Sequence, residues 1–154
     1  MGIVINRPTE MTYGMLFEKI NLDLQDKTLA DRPVLYGGPV QNERGFVLHQ
    51  PAGDWDSSIT VLGDVSLTTS KDILEAVAHD DGPEKLLLSL GYAGWTAGQL
   101  EQEISQNAWL SVKPEDVQTL KKVLFDTPHE EQLNAAMALL GFDPSMLSDV
   151  AGHA

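Results

Sequence analysis

Short apolar runs set between glycine, proline and polar clusters fill the first half of this chain, and apolar spacings of three and four residues follow. Residues 86–90 (LLLSL) are almost continuously apolar, which predicts a strand buried on both faces. Residues 2–6 (GIVIN) predict a second buried strand, ended by Pro8. Residues 33–36 predict a strand that Gly37-Gly38-Pro39 breaks. Residues 41–45 read as a polar turn before a strand at 46–49, and residues 51–56 read as a loop. Residues 58–62 predict the return strand of a hairpin, and residues 65–68 extend again.

Helices are predicted from caps as much as from periodicity. Thr12 caps a short helix reaching about Asn21, with Leu16 and Ile20 one turn apart, although Gly14 weakens its first turn. Thr69 or Ser70 caps a second helix, with Asp72 closing an acidic variant of the capping box. Ile73, Leu74, Val77 and Ala78 form its buried stripe, and Gly82-Pro83 stops it. Gly91-Tyr92-Ala93-Gly94-Trp95 is too glycine-rich for regular structure. Thr96 then opens a helix with Gln99 as the capping-box partner, Leu100 and Ile104 facing inward and Asn107 ending it. Ala108-Trp109-Leu110 starts an extended segment. Pro114 is placed at the first position of a helix reaching about Lys122, with Glu115 and Asp116 favourable to its dipole. Thr127-Pro128-His129-Glu130 is the strongest helix start; Leu133, Ala136, Met137 and Leu140 follow at helical spacing, and Gly141 ends it. Asp143-Pro144 opens a last turn through Leu147. Without repeat, low-complexity tract or linker, residues 1–154 read as a single domain. Strands first and helices later predict an α+β fold with a mixed, mostly antiparallel β-sheet flanked by helices.

Charge narrows the function. Ten Lys and Arg face 23 Asp and Glu, for a net charge of -13. Duplex binders need cationic side chains to displace phosphate counterions. With Arg7, Arg32 and Arg44 as its only arginines, the chain is a poor candidate for direct nucleic-acid binding. The acidity suits solubility in a cytoplasm, or a basic protein partner. Cysteine is absent, so this chain has neither disulfides nor thiol chemistry. No apolar run approaches the roughly 20 residues a membrane span needs, so no membrane association is expected.

Candidate chemistry is sparse. His49, His79, His129 and His153 show no metal-ligand spacing, so neither metal nor cofactor is assigned. His49 beside Asp54 and Asp56 allows an acid–base pair, against the plainer reading of a strand-end histidine near solvent. Gly91, Gly94 and Gly98 raise a phosphate cradle, but they match neither nucleotide fingerprint; exposed N–H groups at the Thr96 helix start still suit an anion. The competing reading is a tight strand-to-helix turn whose aromatics plug the core. Gly37 and Gly38 with Arg44 suit a carboxylate or phosphate, against a turn beside a surface arginine. Ser89 lies inside an apolar strand rather than between glycines, so there is no nucleophile elbow. Asp80-Asp81 sit at a helix C-terminus that disfavours them. The candidate ligand-binding set is Gly37, Gly38, Arg44, Gly91, Tyr92, Gly94, Trp95 and Gln99, with no catalytic residue.

Taken together, GIVINRP (residues 2–8), YGGPVQNERGFVLH (36–49), LTTSKDIL (67–74), LGYAGWTAGQLEQEISQNAWL (90–110), FDTP (125–128) and the closing AGHA resemble the AlgH/YqgE family of bacterial proteins. The resemblance covers essentially the whole chain, and the GYAGW-GQLE block is its most specific part. It implies an α+β fold with a bent, mixed sheet flanked by helices, and no established enzymatic activity. The family name reflects a proposed regulatory role in alginate production, and members are often labelled transcriptional regulators. Family members usually carry an opening segment with strands before the position of Met1. The expectation is therefore an N-terminally truncated domain whose edge at residues 2–6 is unpaired or patched by another chain. Residues of that segment, cysteine included, do not carry over. The expected role is regulatory, through an unknown protein partner in the cytoplasm, with oligomeric state open. The alternative is an anion- or nucleotide-binding protein or enzyme with its site at the GYAGW loop.

Overall fold

A computed structural model describes residues 1–141. The chain separates into two compact units, residues 1–94 and residues from Trp95 onward. The first holds β1 (Pro8–Thr12), α1 (Tyr13–Lys19), β2 (Pro33–Tyr36), β3 (Val40–Gln50), β4 (Ser58–Leu62), β5 (Val65–Thr68), α2 (Lys71–Ala78) and β6 (Lys85–Tyr92). Its six strands form one sheet in the order β1-β2-β6-β3-β5-β4. Only the β2–β6 pairing is parallel; the others are antiparallel. The α+β reading with a mixed, mostly antiparallel sheet holds.

Strand alternation sorts the side chains. Val47 lies opposite Leu88 on one side and Thr68 on the other, so these share a face. There Val34, Val47, Leu86 and Leu88 pack with Tyr13, Leu16 and Phe17 of α1 and with Ile73, Val77 and Ala78 of α2. Phe17, Val34, Ile73 and Leu88 are wholly buried. Each such side chain contributes about 1.5–3 kcal/mol of burial free energy. The opposite face carries Leu35, Phe46, Leu48, Leu67 and Leu87, also buried. Strand β6 is therefore apolar on both faces, as its sequence predicts.

Side chains complete the ladder at the start of β2. The Leu88 N–H donates to the Tyr13 hydroxyl at 3.1 Å, and the Arg32 guanidinium donates to the Leu86 carbonyl at 3.0 Å. Arg32 also lies over the Tyr13 ring, 5.3 Å from its centroid. Burial raises the Tyr13 pKa against the opposing pull of Arg32, so the phenol stays protonated.

Thr12 caps α1 as expected, accepting from the Met15 N–H at 3.2 Å. Three helices end alike. Asn21, Asp80 and Asn107 are left-handed, and the next residue's N–H reaches back to Phe17, Ala76 and Glu103 respectively. This Schellman closure satisfies the last carbonyls and accounts for Asp80 at a helix end.

Other expectations need correction. Residues 2–6 form no strand: Gly2 makes one bridge with Ala93, and Val4 donates to Gly37. Pro8 begins β1 rather than ending a strand. Residues 41–45 lie inside β3, where the register to β6 slips between Val40 and Gly45. The slip accommodates polar residues within a strand, which alternation rules do not anticipate. Strand β4 pairs with β5, not β3, because β5 inserts between them.

The second unit comprises α3 (Gln99–Ser105), α4 (Val117–Phe125), a 3-10 turn at His129–Glu131 and α5 (Gln132–Ala138). Helix α3 starts after a left-handed Gly98, two residues later than predicted, because Gln99 Oε1 accepts from the Thr96 N–H and hydroxyl and holds 96–99 as a turn. It buries no side chain, and Ile104 is exposed. Residues 108–110 form no strand. Asp116 caps α4 by accepting from the Thr119 N–H at 2.8 Å, so Pro114 lies outside the helix, which runs on to Phe125. In α5 Met137 faces inward but Leu133 is exposed; the buried partner is Gln132, whose amide donates to the Val123 and Leu124 carbonyls. The Asp143-Pro144 turn and His153 lie outside the described residues.

Candidate functional site

The glycines of the predicted site share a backbone crossing. A Cβ at Gly91 would stand 2.3 Å from the Gly38 carbonyl oxygen, and one at Gly37 would stand 2.3 Å from the Gly91 carbonyl oxygen. Gly38 approaches Tyr92 and Ala93 equally closely. Only glycines let these segments pass so near. Gly91, at φ +79°, also turns Tyr92 out of regular alternation, and the Tyr92 ring meets Phe46 edge-to-face at 5.5 Å. The predicted irregular loop is thus, through Tyr92, the end of β6. Ser89 is buried beside Gly37, and its hydroxyl has no hydrogen-bond partner among the described residues.

Arg44 lies over the Phe46 ring at 5.7 Å and donates to Gln41 Oε1 at 3.3 Å. With Gln41, Asn42 and Glu43 it lines an open depression. Gly94 is exposed, and a Cβ there would stand 3.5 Å from the Tyr92 ring, an ordinary contact.

The other half of the predicted site, Trp95 and Gln99, gathers around a residue the sequence reading missed. Glu103 accepts from the Trp95 indole N–H at 3.2 Å, the Trp109 indole N–H at 2.8 Å and the Gln99 amide at 3.1 Å. The two indoles meet edge-to-face, 5.8 Å apart. Hydrogen bonds, first from Trp109, then Gln99 and Trp95, hold the Glu103 carboxyl below its ordinary pKa. A carboxylate with three donors is a poor proton acceptor but a firm clamp. Trp109 is nonetheless 47% exposed, its chain neighbour Leu110 is 62% exposed, and Ile104 on α3 is 41% exposed. The signal available in the sequence was the i,i+4 pair Gln99–Glu103 in the turn after Trp95.

His49 is fully buried rather than near solvent. Its Nδ1 lies 2.9 Å from the Pro51 carbonyl, which only accepts, so Nδ1 carries the proton and Nε2 accepts from the Thr68 hydroxyl at 2.6 Å. Thr68 in turn meets Ser58 Oγ at 2.7 Å. Its hydrogen bonds run to Pro51 and Thr68 rather than to Asp54 or Asp56. Desolvation lowers the His49 pKa, keeping the ring neutral. Among the described residues no group of three His, Asp or Glu is placed to hold a metal, and no helix is long and apolar enough to cross a membrane.

A family model described as AlgH-like matches residues 1–145. A UPF0301 protein of Chromobacterium violaceum is 55% identical over 154 residues, covering 100% of this chain and 80% of that protein. The UPF0301 protein BAV3012 of Bordetella avium is 57% identical over 154 residues, covering 100% of this chain and 75% of its own length. The solution structure of the AlgH protein from Pseudomonas aeruginosa superposes with a TM-score of 0.77 at 44% identity, covering 100% of this chain and 79% of that one. By fold, by motif and by sequence identity, the chain belongs to the AlgH-like family, in which no catalytic function is established.

Proposed function

We propose that this chain is a regulatory protein of the cytoplasm that acts by binding a protein partner at the Trp109 corner. One observation carries the reading: Glu103 fixes both indoles by their N–H groups, while Trp109, Leu110 and Ile104 keep large apolar surfaces in solvent. Ordered, exposed tryptophan beside aliphatic side chains is the composition of an interface hot spot. The net charge of -13 favours a basic partner surface over nucleic acid.

The test compares wild type with Trp109→Ala in quantitative co-purification from the host cell, with melting curves to confirm that both are folded. Truncating a hot-spot residue costs about 2 kcal/mol or more, so recovery of a specific partner should fall at least about tenfold. Unchanged recovery contradicts the reading, as does tight duplex binding with a steep salt slope.

A second reading rests on Arg44, whose guanidinium lies over Phe46 beside an open depression. There Arg44, with the backbone around Gly37, Gly38, Gly91, Tyr92 and Gly94, takes a small anion. A thermal-shift screen with nucleotides and carboxylates tests it, since a ligand of the folded state raises the midpoint by mass action. A shift that survives Arg44→Ala removes this site.

A further inference from the structure

Strand β4 ends the sheet, and it is the barest strand. All five of its residues are exposed, Ile59 by 59% and Val61 by 49%, and none carries a charge. Its inner side is occupied by β5, with Ser58 opposite Thr68, Ile59 opposite Leu67 and Thr60 opposite Ser66. The Thr69 N–H donates to the Ser57 carbonyl at 2.9 Å. Antiparallel strands alternate hydrogen-bonded and non-bonded pairs. With Ser57–Thr69 bonded, Ile59–Leu67 is the next bonded pair. Ser58 and Thr60 therefore turn their N–H and C=O groups to the open side.

Exposed edges are normally blunted by lysine, proline, inward charges or bulges. Here the sole such device on the strand is a bulge between Thr60 and Leu62, which leaves residues 58–60 in regular pairing. The charge of the chain selects its occupant. A second copy on this edge would bring together two chains of net charge -13, and their repulsion opposes self-pairing. A cationic extended segment meets the acidic chain without that penalty.

We infer that β4 is a strand-addition site for an extended segment of a partner protein, with alternating β-branched residues between terminal Lys or Arg residues. The inference shares the partner-binding reading but uses a different surface, so failure of either leaves the other standing.

The probe is a labelled synthetic peptide of alternating Val and Thr flanked by lysines, with the same peptide flanked by glutamates as control. Binding is read by anisotropy, and amide hydrogen exchange is followed at Ser58 and Thr60. The lysine peptide is expected to slow exchange of both amides, and the glutamate peptide to bind at least about tenfold more weakly. Thr60→Pro deletes an outward N–H that the sheet does not use, a position where edge strands tolerate proline. It should leave the melting curve nearly unchanged and abolish the protection. Val61→Lys is the second variant and should weaken binding of the lysine peptide in the same direction. The inference fails if no protection develops at about 1 mM lysine peptide. Equal binding of both peptides also overturns it, and so does concentration-dependent protection without peptide, which would make the occupant a second copy.

Discussion

The sheet unit and the helical unit keep their shapes by different means. In residues 1–94 apolar burial dominates: of the buried hydrophobic side chains among the described residues, all but Leu124 and Met137 lie there. In residues 95–141, polar links hold the structure together. Glu103 clamps Trp95, Trp109 and Gln99, and Gln132 ties α5 to the last turn of α4 while accepting from His129. The same stretch leaves Ile104, Trp109, Leu110, Leu133 and Leu139 in solvent. A unit that gains little from burial at home has apolar area to give to a partner, which is why the functional reading is placed there.

Mutations sharpen this contrast in order of size. Phe17→Ala removes a wholly buried ring from the sheet unit's core and should cost about 3–5 kcal/mol in chemical denaturation. The equivalent truncation at the exposed Leu133 should be nearly silent. Gly91→Ala forces a left-handed alanine against the Gly38 carbonyl and should cost about 2–3 kcal/mol. A near-neutral result would mean that the crossing of these glycines is loose. Gln132→Ala strips the bond to two carbonyls and should cost about 1–2 kcal/mol. Its effect should appear as faster amide exchange in α4 and α5, with β6 unchanged; uniform loss across the chain would erase the distinction between the units.

The smallest effect is a pH dependence. The His49 pKa is lowered on folding by desolvation, so the unfolded chain binds the proton more readily. The associated stability is complete above the ordinary histidine value of about 6.5 and declines as pH falls through the window beneath it. Denaturation midpoints should therefore drop between neutral and mildly acidic pH, and His49→Gln should flatten that slope.

Where one face or one cap settled the local structure, the sequence was legible. Thr12 and Asn21 delimit α1, the stripe Ile73-Val77-Ala78 places α2, and residues 33–36 form β2 as read. The errors share one cause, long-range pairing. β5 inserts between β3 and β4, and polar residues 41–45 remain in a strand because β6 pairs on either side of them. At the candidate site, Gly91, Tyr92, Trp95 and Gln99 were picked out from composition. The reason the glycines are there, two backbones crossing, depends on residues some fifty positions apart and is invisible in any window. Glu103 was missed for a similar reason. A lone acid on an acidic chain says nothing until Trp109 is seen to return to it.

A docking surface at the apolar corner clamped by Glu103 is open to capture by a photo-crosslinking amino acid placed at Leu110 in the living host cell. One discrete adduct with another protein is expected, lost when Trp109 is changed to Ala and absent when the crosslinker sits at Glu130 instead. An adduct pattern indifferent to Trp109, or no adduct from Leu110 at all, would contradict it.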